Sequence, residues 1–160
     1  MPFYYDTFRS ITTSATANTE VTHFRVATVA NQETARITGL YVPARFATAG
    51  GGQMRIRTNT GAAASGGTAQ TPAPRNMRNP AAQTTFFNDA SAITPGGTLT
   101  TRLSIGFAQT GGMGGWQAVE PAAAIQLLPG ATNPVGAEIA SIATGTGVPV
   151  DMTIEHTESV

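Results

Sequence analysis

The chain contains no cysteine and no lysine. The first absence excludes disulfides, thiolate metal sites and thiol nucleophiles together. The second excludes a Walker-type phosphate loop, a Schiff base and a lysine general base. Charge of either sign is scarce as well. Nine arginines balance nine acidic residues, and charged residues make up 11% of the chain, about half the usual fraction. A neutral chain is a poor general phosphate binder, so nucleic acid is not expected as a main partner. Long apolar runs are missing too: nothing approaches the roughly twenty residues of a membrane span, and no membrane partner is expected. The start, Met1 to Phe8, has no basic n-region and carries Asp6 where an apolar stretch would have to run, so no targeting segment is expected there.

What is present is threonine, serine, asparagine and glutamine, set among alanine and glycine. Threonine favours pleated, half-buried surfaces, while Gly, Asn and Pro supply turns. A length of 160 residues fits one domain and suffices for a core without staples. Such a surface gains little from ion pairs. It suits contacts with neighbouring subunits, because desolvating a threonine costs far less than desolvating a lysine or a carboxylate.

Period two recurs along the chain. Val21–Ala30 sets Phe24, Val26 and Thr28 on one face, and Ala35–Val42 reads as a second strand stopped by Pro43. Gln53–Thr58 places Met54 and Ile56 opposite Arg55 and Arg57. Leu99–Phe107 alternates, and Val148–His156 puts Val148, Val150, Met152 and Ile154 opposite Asp151, Thr153 and Glu155. Thr84–Phe87 is a short β-prone segment, and Ala137–Ala143 reads as pairing with the last strand across Gly145-Thr146-Gly147. Pro121–Leu128 fits a strand or one helical turn. Asn59–Asn79 reads as a long irregular loop, and Gly111–Gly115 as a flexible loop ending on Trp116. About eight strands with turn signals at short intervals argue an all-β fold: an antiparallel β-sandwich, jelly-roll-like. Residues 1–18 join Phe3, Tyr4, Tyr5 and Phe8 to a Thr/Ser/Ala tract. They read as an extended N-terminal arm ahead of a single domain over 19–160. The competing reading makes Phe3 to Phe8 a first strand in the core.

No residue set carries recognisable catalysis. His23 and His156 are the only histidines, and with no cysteine a zinc site would need carboxylates for its other ligands. Each histidine reads as capping a strand face at the surface. Asp151 and Glu155 share a strand face, but four residues of strand separate them by roughly 13 Å, beyond glycosidase spacing. Ser104 precedes Gly106, but Arg102 stands where a nucleophile elbow needs its first glycine. No catalytic residue, cofactor, metal or small-molecule substrate is expected. Arg55 and Arg57 on one strand, and Arg75 and Arg78 in the long loop, fit interface positions as well as a solvated face, since a guanidinium pairs carboxylates bidentately.

The stretch Thr84-Thr85-Phe86-Phe87-Asn88-Asp89-Ala90, then Leu103 to Gly112, then Gly115-Trp116 and the ending Val148–Glu158, resembles small virion proteins of tailed bacteriophages. Within that group it is most similar to capsid decoration, or cement, proteins, over residues 20 to 158. The resemblance implies a β-rich domain, often trimeric, sitting where major capsid subunits meet on the outer surface of the head. It implies no catalytic residues. On this reading Phe3, Tyr4, Tyr5, Phe8, Arg55, Arg57, Arg75 and Arg78 are the expected contacts with a second copy or with the major capsid protein, and the protein would be made in the host cytoplasm. The 59–79 loop departs from the family. A carbohydrate- or receptor-binding module is the alternative, with Trp116 beside its glycine loop as the exposed aromatic.

Overall fold

A strand alternating large apolar residues with threonine can bury only one face, so it needs a partner layer. A computed structural model describes residues 3–12, 19–25, 34–43, 51–82, 84–88, 94–108, 113–128, 133–142 and 149–159. Within them lie twelve strands. The first six are β1 (Phe3–Thr12), β2 (Thr19–Arg25), β3 (Ala35–Pro43), β4 (Gly51–Thr60), β5 (Thr68–Gln70) and β6 (Ala73–Pro74). There follow β7 (Thr85–Asn88), β8 (Thr98–Ala108), β9 (Met113–Gln117), a single 3-10 turn at Pro121–Ala123, β10 (Ile125–Leu127), β11 (Pro134–Ile142) and β12 (Pro149–Glu158). Each expected strand overlaps one of these; residues 26–30 of the first, Ala143 and Val148 lie outside the described residues.

The strands form two antiparallel sheets. The first runs β10-β3-β12-β1-β6, with β9 taking the remainder of the β3 edge. The second runs β5-β7-β2-β11-β4-β8. One hydrophobic cluster draws on both. Ala35, Ile37, Leu40 and Val42 of β3, Leu127 of β10, and Met152 and Ile154 of β12 come from the first sheet. Met54, Ile56, Phe86, Ile105, Ala137 and Ile139 come from the second. The alternation in β12 and β4 therefore meets the expectation, with Met152 and Ile154 inward like Met54 and Ile56.

Four expectations need correction. Residues 3–12 are not an arm: β1 pairs with β12 along its length, and Tyr4 is fully buried. Its ring stacks on His156 at 5.3 Å between centroids, and its hydroxyl donates to the Pro80 carbonyl at 3.1 Å. Residues 13–18 lie outside the described residues. β11 and β12 do not pair with each other. β11 lies between β2 and β4 in the second sheet, and β12 lies between β1 and β3 in the first. Both carry apolar inward faces, and these meet across the shared core rather than side by side.

The 59–79 stretch is not structureless: β5 pairs with β7, β6 pairs with β1, and Ser65 bridges to Thr94. Nor is the glycine-rich segment before Trp116 a loop over its described part, since Met113–Gln117 is β9, hydrogen-bonded to β3. Gly111 and Gly112 lie outside the described residues. The open choice at Pro121–Leu128 resolves into both forms, a helical turn followed by a strand.

Since Tyr4 belongs to the core, Tyr4→Ala should cost on the order of 3–5 kcal/mol, as for other large buried aromatics. Deleting residues 1–12 should abolish cooperative thermal unfolding followed by circular dichroism. A truncated chain that melts like the full one would mean that β1 is dispensable.

Candidate interaction surface

The segment between β5 and β7 is fastened at several points. Pro72 is buried, Ala73 and Pro74 pair with Tyr5 and Tyr4, and Pro80 accepts the Tyr4 hydroxyl. Between these anchors the chain makes a tight turn. Asn76 Oδ1 accepts the Arg78 amide at 3.0 Å, and the Asn76 carbonyl accepts the Asn79 amide at 2.9 Å. An asparagine bonding the backbone two residues on is the usual way such a turn is held. Its tip presents Met77, 94% exposed, flanked by the exposed Arg75 and Arg78. No acidic residue occurs between 71 and 82.

Arg75 is braced from beneath. Its Nη2 lies 3.2 Å from Glu155 Oε1 on β12, and Tyr41 of β3 donates its hydroxyl to Glu155 Oε2 at 3.5 Å. The pairing of Glu155 with Gly39 and of Tyr41 with Gly115 explains the placement. A Cβ at Gly39 would fall 3.0 Å from Tyr41 Cε2, and one at Gly115 would fall 3.4 Å from Cδ1, so the ring fills space that glycine leaves open. Burial, with the neighbouring carboxylate of Glu155, pushes the Tyr41 hydroxyl above its ordinary 10.0, against the pull of Arg75.

Of the residues expected at an interface, this region brings together the backbones of Phe3, Tyr4 and Tyr5 with Arg75 and Arg78. The side chains of Phe3, Tyr5 and Phe8 lie outside the described residues. Tyr4 is a core residue rather than a contact.

Arg55 and Arg57 sit elsewhere, on β4, and they differ from one another. Arg55 is partly buried. Arg57 is buried, with Nη2 3.2 Å from Glu138 Oε2 on β11. Asn59 donates to the same carboxylate, and so does the Gly96 amide at 2.9 Å. Arg57 is therefore neither a solvated nor an interface arginine. Burial lowers its pKa and Glu138 opposes the shift. The covering turn fits closely: a Cβ at Gly96 would lie 2.2 Å from the Ala63 carbonyl carbon, and Gly97 has φ +36°.

Trp116 is half-buried in β9 rather than fully exposed. It pairs with Leu40 and packs against the core.

His156 is likewise not a surface cap but fully buried. Its Nε2 lies 2.7 Å from Thr84 Oγ1 and 3.0 Å from Glu158 Oε1. Thr84 donates to that same oxygen from its amide at 2.9 Å and from its hydroxyl. A hydroxyl beside an imidazole invites comparison with a nucleophile and its base. In such a relay the carboxylate orients the ring through Nδ1, whereas here it sits on Nε2 and Nδ1 has no hydrogen-bond partner. The three side chains, all buried, tie β12 in one sheet to the start of β7 in the other. The His23 side chain lies outside the described residues. Among the described residues no group of three or more His, Asp or Glu is placed to hold a metal ion, and no helix is long and apolar enough to cross a membrane.

No protein-family model, no curated protein and no solved structure matches the chain.

The Tyr41 environment gives a pH test. A raised pKa in the folded state means that the fold holds the phenolic proton more tightly than the unfolded chain does. This contribution is intact below pH 10.0 and is lost as the pH rises beyond it. Tyr41→Phe should therefore flatten the fall in melting temperature between about pH 9 and 11. An unchanged fall would place the alkaline sensitivity elsewhere.

Proposed function

We propose that the protein is a structural component of a virion, a capsid decoration or cement protein that binds the outer surface of a tailed-phage head. The two sheets, facing one another across one core, are read as a β-sandwich of jelly-roll type. The observation that carries the functional reading is the turn at Arg75–Arg78. A methionine is held almost fully exposed between two arginines, on a segment fastened to the sheet at Pro72, Pro74 and Pro80. A single exposed apolar residue is ordinary in itself. One presented on a braced turn, with cations on both sides, suits a partner surface that offers an apolar recess ringed by carboxylates. Methionine adapts to irregular recesses, and arginine supplies the bidentate pairing.

Composition agrees with this role. A lysine-free, cysteine-free chain exposes few groups to chemical attack outside a cell. Its Thr- and Ala-rich surface buries contacts at low desolvation cost. The major capsid protein is the proposed partner and the virion surface the proposed location. The shell, rather than any turnover, is what the protein would serve. The carbohydrate-binding alternative has less to stand on, because its aromatic candidate, Trp116, packs against the core.

Cosedimentation with heads of the parent particle tests the proposal. The wild-type protein should pellet with heads and saturate. Met77→Asp and Arg78→Glu should each weaken binding about tenfold or more, the scale of one interface hot spot, while leaving the melting temperature unchanged. A wild-type protein that stays in the supernatant would contradict the role. Wild-type binding that neither substitution affects would remove the turn from it.

A further inference from the structure

β8, the last strand of the second sheet, and β10, at the edge of the first, both contribute residues to one cleft. The ladder between β4 and β8 is interrupted there. Ile56 pairs with Leu103 and Arg57 with Thr101, so Arg102 has no residue opposite it. A bulge of this kind re-aims a side chain and blunts an edge. Arg102 is accordingly turned to donate its Nε–H to Thr58 Oγ1 at 2.9 Å. That bond fixes the plane of the guanidinium and leaves the terminal amino groups for something else. They border a cleft of about 340 Å³ lined by Arg102, Ala124, Ile125 and Gln126, near the lower end of the range for ligand sites. Arg102 and Gln126 are exposed, and Ile125 forms part of the wall that packs against the core.

We infer that this cleft is a carboxylate-binding site, and that its occupant is the side chain of a glutamate or aspartate on an extended segment of a partner polypeptide. Three observations carry the inference. Among the described residues the lining holds one guanidinium and no acidic residue, so the complementary ligand is an anion. The guanidinium is oriented in advance by Thr58, which lowers the ordering cost of a bidentate pair, and the Gln126 amide adds a neutral donor beside it. Among the described residues no strand pairs with the other edge of β8, and Thr98, Thr100, Thr101, Ser104 and Gly106 along it are exposed. An extended segment lying there finds backbone partners next to the cleft, which a free acid cannot use. The site lies on β8 and β10, whereas the Arg75–Arg78 turn extends from β6, so the inference stands independently of the proposed shell contact.

The test is a titration of the isotope-labelled full chain followed by NMR. The probes are a capped tetraglutamate peptide, the matching capped tetraglutamine peptide, and glutarate. Tetraglutamate should shift the Arg102 Nε–H, the Gln126 side-chain amide and the Ile125 methyl signals saturably. Tetraglutamine and glutarate should bind at least tenfold more weakly. Arg102→Gln should abolish the tetraglutamate response, and Gln126→Ala, at an exposed position, should weaken it without altering the fold. Absence of saturable shifts, or shifts that persist in Arg102→Gln, would overturn the carboxylate site. Glutarate binding as tightly as the peptide would overturn the polypeptide occupant.

Discussion

The structure depends on what β12 does with its inward face. The strand lies at the centre of the first sheet, and every second residue from Met152 points toward the second sheet: Met152, Ile154, His156, Glu158. The first two are apolar and join the common core. The last two are polar, and in a dry interior a polar group left unpaired costs on the order of 1–3 kcal/mol. The fold meets much of that requirement by bringing Thr84 to them from the head of β7, although His156 Nδ1 keeps no hydrogen-bond partner, and it packs Tyr4 and Phe86 around the imidazole. The same residues that would penalise a misplaced β12 therefore fix the spacing between the sheets.

Much else follows from that constraint. Tyr4 can stack on His156 only if β1 lies beside β12, which draws the N-terminal aromatic run into the sheet. Tyr4 then holds Pro80, and Glu155, one residue from His156 and on the opposite face, holds Arg75. The exposed Met77 turn is thus positioned by two contacts made on either face of neighbouring strands. On the far side, the second sheet has its own buried polar centre, where Glu138 accepts from Arg57, Asn59 and the Gly96 amide. Removing one member of such a group would strand the rest, so these charges specify an arrangement more than they add net stability.

The long alternating strands were legible because period two is a strong signal when both faces are sampled several times. Leu99–Phe107 and Val148–His156 are the clearest cases. β5, β6 and β10 have two or three residues each, too few to show a period, and each is set by the strand it pairs with. The glycines of β9 read as a loop because glycine is permissive, yet Gly114 and Gly115 pair with Val42 and Tyr41 in the ladder with β3. Burial of His156 was available in the pattern, since it has the parity of Met152 and Ile154; the usual exposure of histidine argued the other way. Burial of Arg57 was not available, because its partner lies 81 residues away on another strand. Of the candidate contacts, the arginines at 75 and 78 were legible as exposed loop cations. The role of Arg102 was not, since it rests on a bulge visible only in the ladder.

The tie between β12 and β7 is most directly tested by a double-mutant cycle on Thr84→Val and His156→Leu, with stabilities taken from denaturant unfolding. If the pair couples the sheets, the two losses will fall short of additivity by at least about 0.5 kcal/mol, the threshold above which contacting residues are distinguished from independent ones. Strictly additive losses would mean that the two side chains act separately, and that the sheets are held by apolar burial alone.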